Sequence, residues 1–361
     1  MHQSIRALKI FYYITSLLLL SLLLESCSPK SDKELGLLKT AKGDAYELIL
    51  VMDTVKWKGK LGDAVKDIFM EDIKGLPQAE PMFTVRHINP VAFNGFLREH
   101  KNIVIVTTFD ERTAGSQKLK EFFTPESIKK VREDDELFML RQTDEFAKGQ
   151  VVLSLFSKDE ATLIKHLKES KTRIQDIMVE TERKRMEASL FKARKKELEA
   201  ALKKSSDIEL MIPEGYKLAK EEKDFIWLRY PEYDLDKNIL IYYKDYQSQN
   251  EFNEDSIMAW REKIMSTYTR DPENPDVYVS IQTIAPVNQR KISISGKYAI
   301  ETRGLWRLKG RYRGGPFLSY VFADEESGRI YYAEGFAYAP GGSKRQHIRE
   351  LEVILKKFVA Q

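Results

Sequence analysis

Few residues in this chain are set out for chemistry. The single thiol, Cys27, directly follows an apolar run, a place that suits an acceptor of acyl chains better than a nucleophile or a metal ligand. The five histidines, His2, His87, His100, His166 and His347, form no i,i+4 pair, so no metal ligand set is spelled out and no cofactor is called for. There is no Gly-x-Ser-x-Gly elbow and no phosphate-cradling loop ending in Gly-Lys-Ser/Thr. The acid pairs Asp134-Asp135 and Glu325-Glu326 stand in polar turns and read as solvated. What remains is the stretch from Arg303 through Trp306 and Arg307 to Gly310, followed by Gly314-Gly-Pro-Phe317. Arg303, Trp306 and Arg307 on the rim of a concave site would suit a sugar or a carboxylate, by bidentate hydrogen bonding and stacking. The glycines of the same stretch suit a close hairpin.

The N-terminus gives an address. Arg6 and Lys9 precede an apolar run over residues 10–24, and Ser26 stands before Cys27. A basic start, roughly 15 apolar residues and a small residue make a secretory signal, shorter than the roughly 20 residues of a membrane span. A cysteine just after the cut resembles a bacterial lipobox, although Glu25 sits where a small or apolar residue is usual. Lipidation of Cys27 would anchor the chain to a membrane. With no second cysteine, the exported part has no disulfide and relies on its core. After Cys27, Asp32 and Glu34 are separated by Lys33 and preceded by Lys30, so no compact acidic cluster marks the chain for the cell surface. The folded part is expected in the outer membrane, lipid-anchored and facing the periplasm. The formal charge is +4, from 59 basic and 55 acidic side chains, a balance that argues against nucleic acid as a partner.

The elements that would position these residues fall into two groups. Buried-strand runs at 46–52, 102–108 and 150–156, an alternating strand at 83–88, and helices at 57–74 and 91–100 make a first unit. A long helix is expected over 157–205, opened by Ser157 with Glu160 in capping-box spacing, and rich in Lys and Arg. Strands at 225–230, 238–243, 298–308, 316–322 and 329–337 follow, with helices at 254–268 and 344–358, the last capped by Ser343. The class is α+β: two α/β sandwich-like units joined by a long charged helix, behind a lipoprotein signal peptide. The expected division is signal 1–26, lipidated tether 27–45, first unit 46–156, connecting helix 157–205, and an antiparallel-sheet unit 206–361.

Several motifs carry a family resemblance: Ile212-Pro-Glu-Gly-Tyr216, Phe225-Ile-Trp-Leu228, Arg303-Gly-Leu-Trp306, Gly314-Gly-Pro-Phe317, Glu334-Gly-Phe336 and Tyr338-Ala-Pro340. With Leu76-Pro77-Gln78 and Glu80-Pro81, they resemble a Bacteroidetes envelope lipoprotein family, the domain of unknown function 4837. In element order the second unit also resembles the PsbP and Mog1-type sandwich. The family resemblance implies an envelope lipoprotein and carries no activity. Thr54 in Asp53-Thr-Val55 and Ser256 in Asp255-Ser-Ile257 match a pattern for O-glycosylation in exported Bacteroidetes proteins. The expectation is a non-catalytic module that binds an envelope protein or glycan, with a hydrolase or transferase acting on envelope polymers as the alternative.

Overall fold

The computed structural model describes residues 36–360. The signal, Cys27 and the tether up to residue 35 lie outside the described residues. Among the described residues no helix is long and apolar enough to cross a membrane.

The first sheet is ordered β2-β1-β3-β5-β4. Its strands are β1 (Glu47–Met52), β2 (Thr84–Ile88), β3 (Asn102–Thr108), β4 (Met139–Thr143) and β5 (Val151–Ser157). All neighbours are parallel except β4, which runs antiparallel to β5. Strands β1, β3 and β5 read as unbroken apolar runs because both faces are covered. Leu48, Leu50, Val104, Val106, Leu153 and Leu155 face three helices: α1 (Lys60–Phe69), and two helices of the segment after β5. Ile49, Val51, Ile103, Ile105 and Val152 face the opposite layer, with Phe93 and with Leu119 of α2 (Ala114–Lys120). A further helix, α3 (Pro125–Glu133), follows before β4.

The segment expected as one helix over 157–205 is three. They are α4 (Glu160–Glu169), α5 (Lys171–Leu190) and α6 (Lys196–Ser206). Ser157 does not cap the first of them, because it still belongs to β5. The cap is Asp159, whose carboxylate accepts from the Thr162 N–H at 2.8 Å. The segment is also no free connector. Leu163, Leu167, Ile174 and Met178 belong to the first core, and Leu202 of α6 belongs to the second.

The second sheet is antiparallel throughout, ordered β10-β12-β13-β14-β9-β8-β7, with β11 beside β10 along the same edge of β12. After the short β6 (Ile208–Glu209) come β7 (Lys217–Glu222), β8 (Phe225–Pro231), β9 (Asp236–Asp245), β10 (Val279–Gln282), β11 (Asn288–Ile294), β12 (Lys297–Leu308), β13 (Gly314–Asp324) and β14 (Arg329–Tyr338). The helix α7 (Glu254–Tyr268) covers one face through Ile257, Trp260, Ile264 and Met265. The helix α8 (Arg345–Leu355) covers the other through Ile348, Leu351 and Ile354. The two-residue β15 (Val359–Ala360) then pairs with β6. The α+β class holds, and each unit is a helix–sheet–helix sandwich.

Helix α8 locks the two units together. Its Val353 enters the first core. Arg349 lays its guanidinium 3.6 Å from the Tyr46 ring centroid and donates to the Met82 carbonyl. Its N-terminus is capped from the other unit: Glu80 accepts from the backbone N–H of Lys344 at 2.8 Å and of Arg345 at 2.9 Å. Ser343 was the expected cap. Its hydroxyl instead donates to Glu80, and no side chain of α8's own segment caps the helix. A carboxylate here meets both unpaired N–H groups and the positive end of the helix dipole.

Candidate functional site

The period of two along β12 decides where the expected site residues go. Glu301, Arg303 and Arg307 point to the α8 face, and Trp306 points to the α7 face. The three residues expected on one rim therefore do not converge. Trp306 is buried in the α7-side core, edge-on to Phe336, and its Nε1 donates to the Ala337 carbonyl at 3.2 Å. Gly315, opposite Trp306 in the ladder, permits this: a Cβ there would stand 2.1 Å from the Ala337 oxygen. Arg307 is exposed and lines a groove of about 700 Å³ along the β12–β13 turn, with Arg311, Tyr312 and the edge of Trp306.

Arg303 goes elsewhere, into a cleft of about 620 Å³ between the two units. Lys171, Gln175 and Asp176 of α5 form one wall, and Gln289 and Arg290 of β11 the other. Asp176, Arg290 and Glu352 also line a neighbouring groove of about 690 Å³, so the two run together. Gly75, at φ +79°, carries the first unit's loop against the floor. A Cβ there would lie 2.9 Å from the Arg303 Cβ.

The floor is an ion cluster. Arg303 donates to Glu301 from Nε at 2.8 Å and to Glu352 from Nη2 at 2.9 Å. Arg290 donates to the same Glu301 from Nε at 2.7 Å and from Nη2 at 3.2 Å. The Tyr320 hydroxyl adds a bond to Glu301 at 3.2 Å, and Lys356 donates to Glu352 at 2.8 Å. Burial pushes the Glu301 carboxyl up, but Arg303 and Arg290 outweigh it and hold the group below the usual range. Glu352 is likewise held low, because Arg303 and Lys356 overcome its burial. Burial, with Glu352 and Glu301 beside it, pushes the Tyr320 phenol well up. Both carboxylates are thus fixed acceptors. Among the described residues, two buried donors of side chains that line the cleft have no partner: Nε of Arg349 and Nε2 of Gln289. Buried donors without partners are uncommon.

The other expected residues are apart from this cleft. Thr54 opens a short helical turn after β1, half-buried, and its hydroxyl accepts from Asn89 Nδ2 at 2.9 Å. Ser256 lies half-buried in the first turn of α7. Cys27 lies outside the described residues. Glu301, Gln289, Arg290, Arg349 and Glu352 were not singled out from sequence. The charge pattern Arg290, Glu301, Arg303 is visible there, but its closure depends on α8 and the first unit.

Residues 195–357 match the family model of DUF4837, a domain of unknown function, which bears out the resemblance to that domain for the second unit alone. Residues 41–191 match a second domain of unknown function, DUF8532. No curated protein matches the chain. Among solved structures, the Ran-binding protein Mog1p of Saccharomyces cerevisiae is similar at 7% identity and a TM-score of 0.29, covering 42% of this chain and 89% of that one. A mutant of protein Mog1 gives 8% identity and a TM-score of 0.29, over 42% and 90%. Similarity at that level carries no argument about this chain.

Proposed function

We propose that this chain, with its DUF4837 unit at the C-terminal end, is a lipid-anchored bacterial envelope protein of the Bacteroidetes type. In this reading Cys27 carries the lipid and the two units face the periplasm from the outer membrane. The protein acts as a non-catalytic module that binds an envelope protein segment or glycan in the cleft between its units. The observation that supports it most is the state of that cleft. Its buried carboxylates are saturated with Arg, Lys and Tyr donors, while N–H groups of Arg349 and Gln289 stand without partners. The exposed guanidinium of Arg290, at the rim of the cleft, offers hydrogen bonds to a ligand.

A hydrolase or transferase would need a carboxyl that releases or takes a proton near neutral pH. Glu301 and Glu352 are poorly suited, since their neighbours hold them ionised. Glu334 is pushed upward by burial, but it is sealed in the core against Arg261 and reaches no substrate.

A photo-crosslinking residue at Asp176, at the mouth of the cleft, tests the binding reading in native envelopes. A discrete adduct is expected there and not from the same group at the exposed Tyr312 of the β12–β13 turn. Identical adducts from both positions would remove the cleft from the account. Release of soluble fragments from envelope polymers by the purified protein would establish the enzyme instead. Cys27→Ala tests the anchor: loss of lipid labelling and release from membranes is expected, and retention at high salt would rule the lipid out as the anchor.

A further inference from the structure

A cleft of about 1220 Å³ on the second unit is a different kind of site. It opens between the β11–β12 hairpin, the β13–β14 turn and the segment leading into α7. Aromatic rings line one side. Tyr298, half exposed, stands 5.3 Å from Phe252 at 72°, and Phe252 stands 6.0 Å from Tyr246. This edge-on packing holds Phe252 and Tyr298 in place and leaves part of the Tyr298 ring open to the cleft.

Polar groups of a particular kind face these rings. Asn253 precedes α7, yet its side chain caps nothing, so the amide keeps both donor and acceptor for the cleft. Asn250 and Gln249 contribute two more amides. The Asp324 carboxylate, buried at the base, is fixed by Lys297 and by the Ser327 N–H at 2.9 Å. Those partners overcome its burial and keep it ionised down to about pH 2. Gln289, with its unpartnered Nε2, lines this cleft as well as the inter-unit one.

The lining selects a class of ligand. A phosphate chain needs unopposed cations, but Arg290, Lys291 and Lys297 are answered here by Glu254, Asp324, Glu325 and Glu326. A lipid tail would need an apolar lining, and amides and charges interrupt this one. A sugar ring has an apolar C–H face and a rim of hydroxyls that both donate and accept. One open aromatic face beside amides and a fixed carboxylate–ammonium pair matches that pattern.

We propose that this cleft is an oligosaccharide-binding site, in which a pyranose ring stacks on Tyr298 and its hydroxyls bond to Asn253 and the Asp324–Lys297 pair. The proposal rests on the reading of the chain as a binding module and adds a second site to it.

The test uses the full-length protein in detergent. Its probes are an array of bacterial and plant oligosaccharides that includes malto-, cello-, xylo-, chito- and galacturono-hexaoses, with calorimetric titration of the best binder. Saturable binding is expected. Tyr298→Ala should weaken it about tenfold while Tyr298→Trp retains it, since Trp keeps a flat face. Unfolding of both variants at the wild-type temperature checks that the fold persists. Asp176→Trp, at a residue that lines the inter-unit cleft and its adjoining groove but not this one, should leave sugar affinity unchanged. No binding to any member of the array, or equal affinity of wild type and Tyr298→Ala, overturns the proposal. Sugar binding lost with Asp176→Trp but kept in Tyr298→Ala would move the glycan to the inter-unit cleft. That result would sink this site while sparing the reading above.

Discussion

The two faces of the second sheet each bury an Arg–Glu arrangement, and the two behave oppositely. On the α7 face, Arg261 and Glu334 are both fully buried, joined by bonds of 2.9 and 2.8 Å, with Tyr332 donating to the same carboxylate. Burial still dominates there and pushes the Glu334 carboxyl upward, even though Arg261 pulls it down. On the α8 face, Glu301 is as buried, yet its carboxyl is pushed downward. The difference lies in partners and access. Glu301 has Arg303, Arg290 and Tyr320, and the Arg290 side chain is 62% exposed. A carboxylate with two guanidiniums, one of them in water, recovers what burial removes. One with a single sealed guanidinium does not. The sealed pair therefore fixes α7 on its sheet, while the open cluster has spare donors beside a cleft.

The sharpest break of this comparison is Arg261→Met. It leaves Glu334 buried beside Tyr332 and Glu262, and a loss of about 3–5 kcal/mol is expected in urea unfolding. Arg261→Met with Glu334→Leu should recover much of that loss, because the penalty belongs to the stranded charge. A single variant within about 1 kcal/mol of wild type would show that water or another donor reaches Glu334.

Arg303→Met is the matching change in the open cluster. Glu301 keeps Arg290 and Tyr320, and Glu352 keeps Lys356. The expected loss is smaller, about 2 kcal/mol. A loss as large as that of Arg261→Met would mean that access to solvent does not separate the two faces.

How much of this was legible in sequence follows from the range of the interactions. Strands β3, β5, β8 and β9 and helix α7 were readable because their patterns are local and strong. Strands β7, β10 and β11 were not. They lie at or near the sheet edge, where polar residues such as Lys217, Lys220 and Arg290 face water and hide the alternation. The single long helix was read through Ser170 and residues 191–195 because charged, helix-favouring residues continue across both breaks. Arg303 was noticed for its chemistry and does reach a cleft. Trp306 was noticed for the same reason and is core. The parity of β12 separates them, and parity means nothing until it is known which face each helix covers. Tyr298 gave no signal, since its value depends on Phe252 and Asn253, which lie more than forty residues away in the chain.

Glu80→Ala addresses the joint between the units. It removes the acceptor of the Lys344 and Arg345 N–H groups and of Ser343. A loss of about 1–2 kcal/mol is expected, as for a helix cap. Hydrogen exchange at the Lys344 and Arg345 amides should rise, while that of β3 stays unchanged. Equal rates in variant and wild type would show that the cap is replaced by water at no cost.

The smallest effect, and the one that tests the comparison most directly, is the sign of two pH slopes. Glu301 has a folded pKa below its ordinary value of 4.5, so its contribution is complete above that value and is lost as pH falls through the folded pKa. Glu334 has a folded pKa above 4.5, so its charge costs nothing below that value and takes stability away as pH rises toward the folded pKa. The stability difference between wild type and Glu301→Gln should therefore shrink on acidification below 4.5. The difference between wild type and Glu334→Gln should instead grow on acidification, and its change should lie above 4.5. Neither slope depends on the size of the loss in each variant, since the neighbouring arginines stay charged throughout. Urea midpoints between about pH 3 and pH 8 measure both. Slopes of the same sign would mean that Glu334 is ionised as readily as Glu301, and the contrast between the sealed and the open face would be gone.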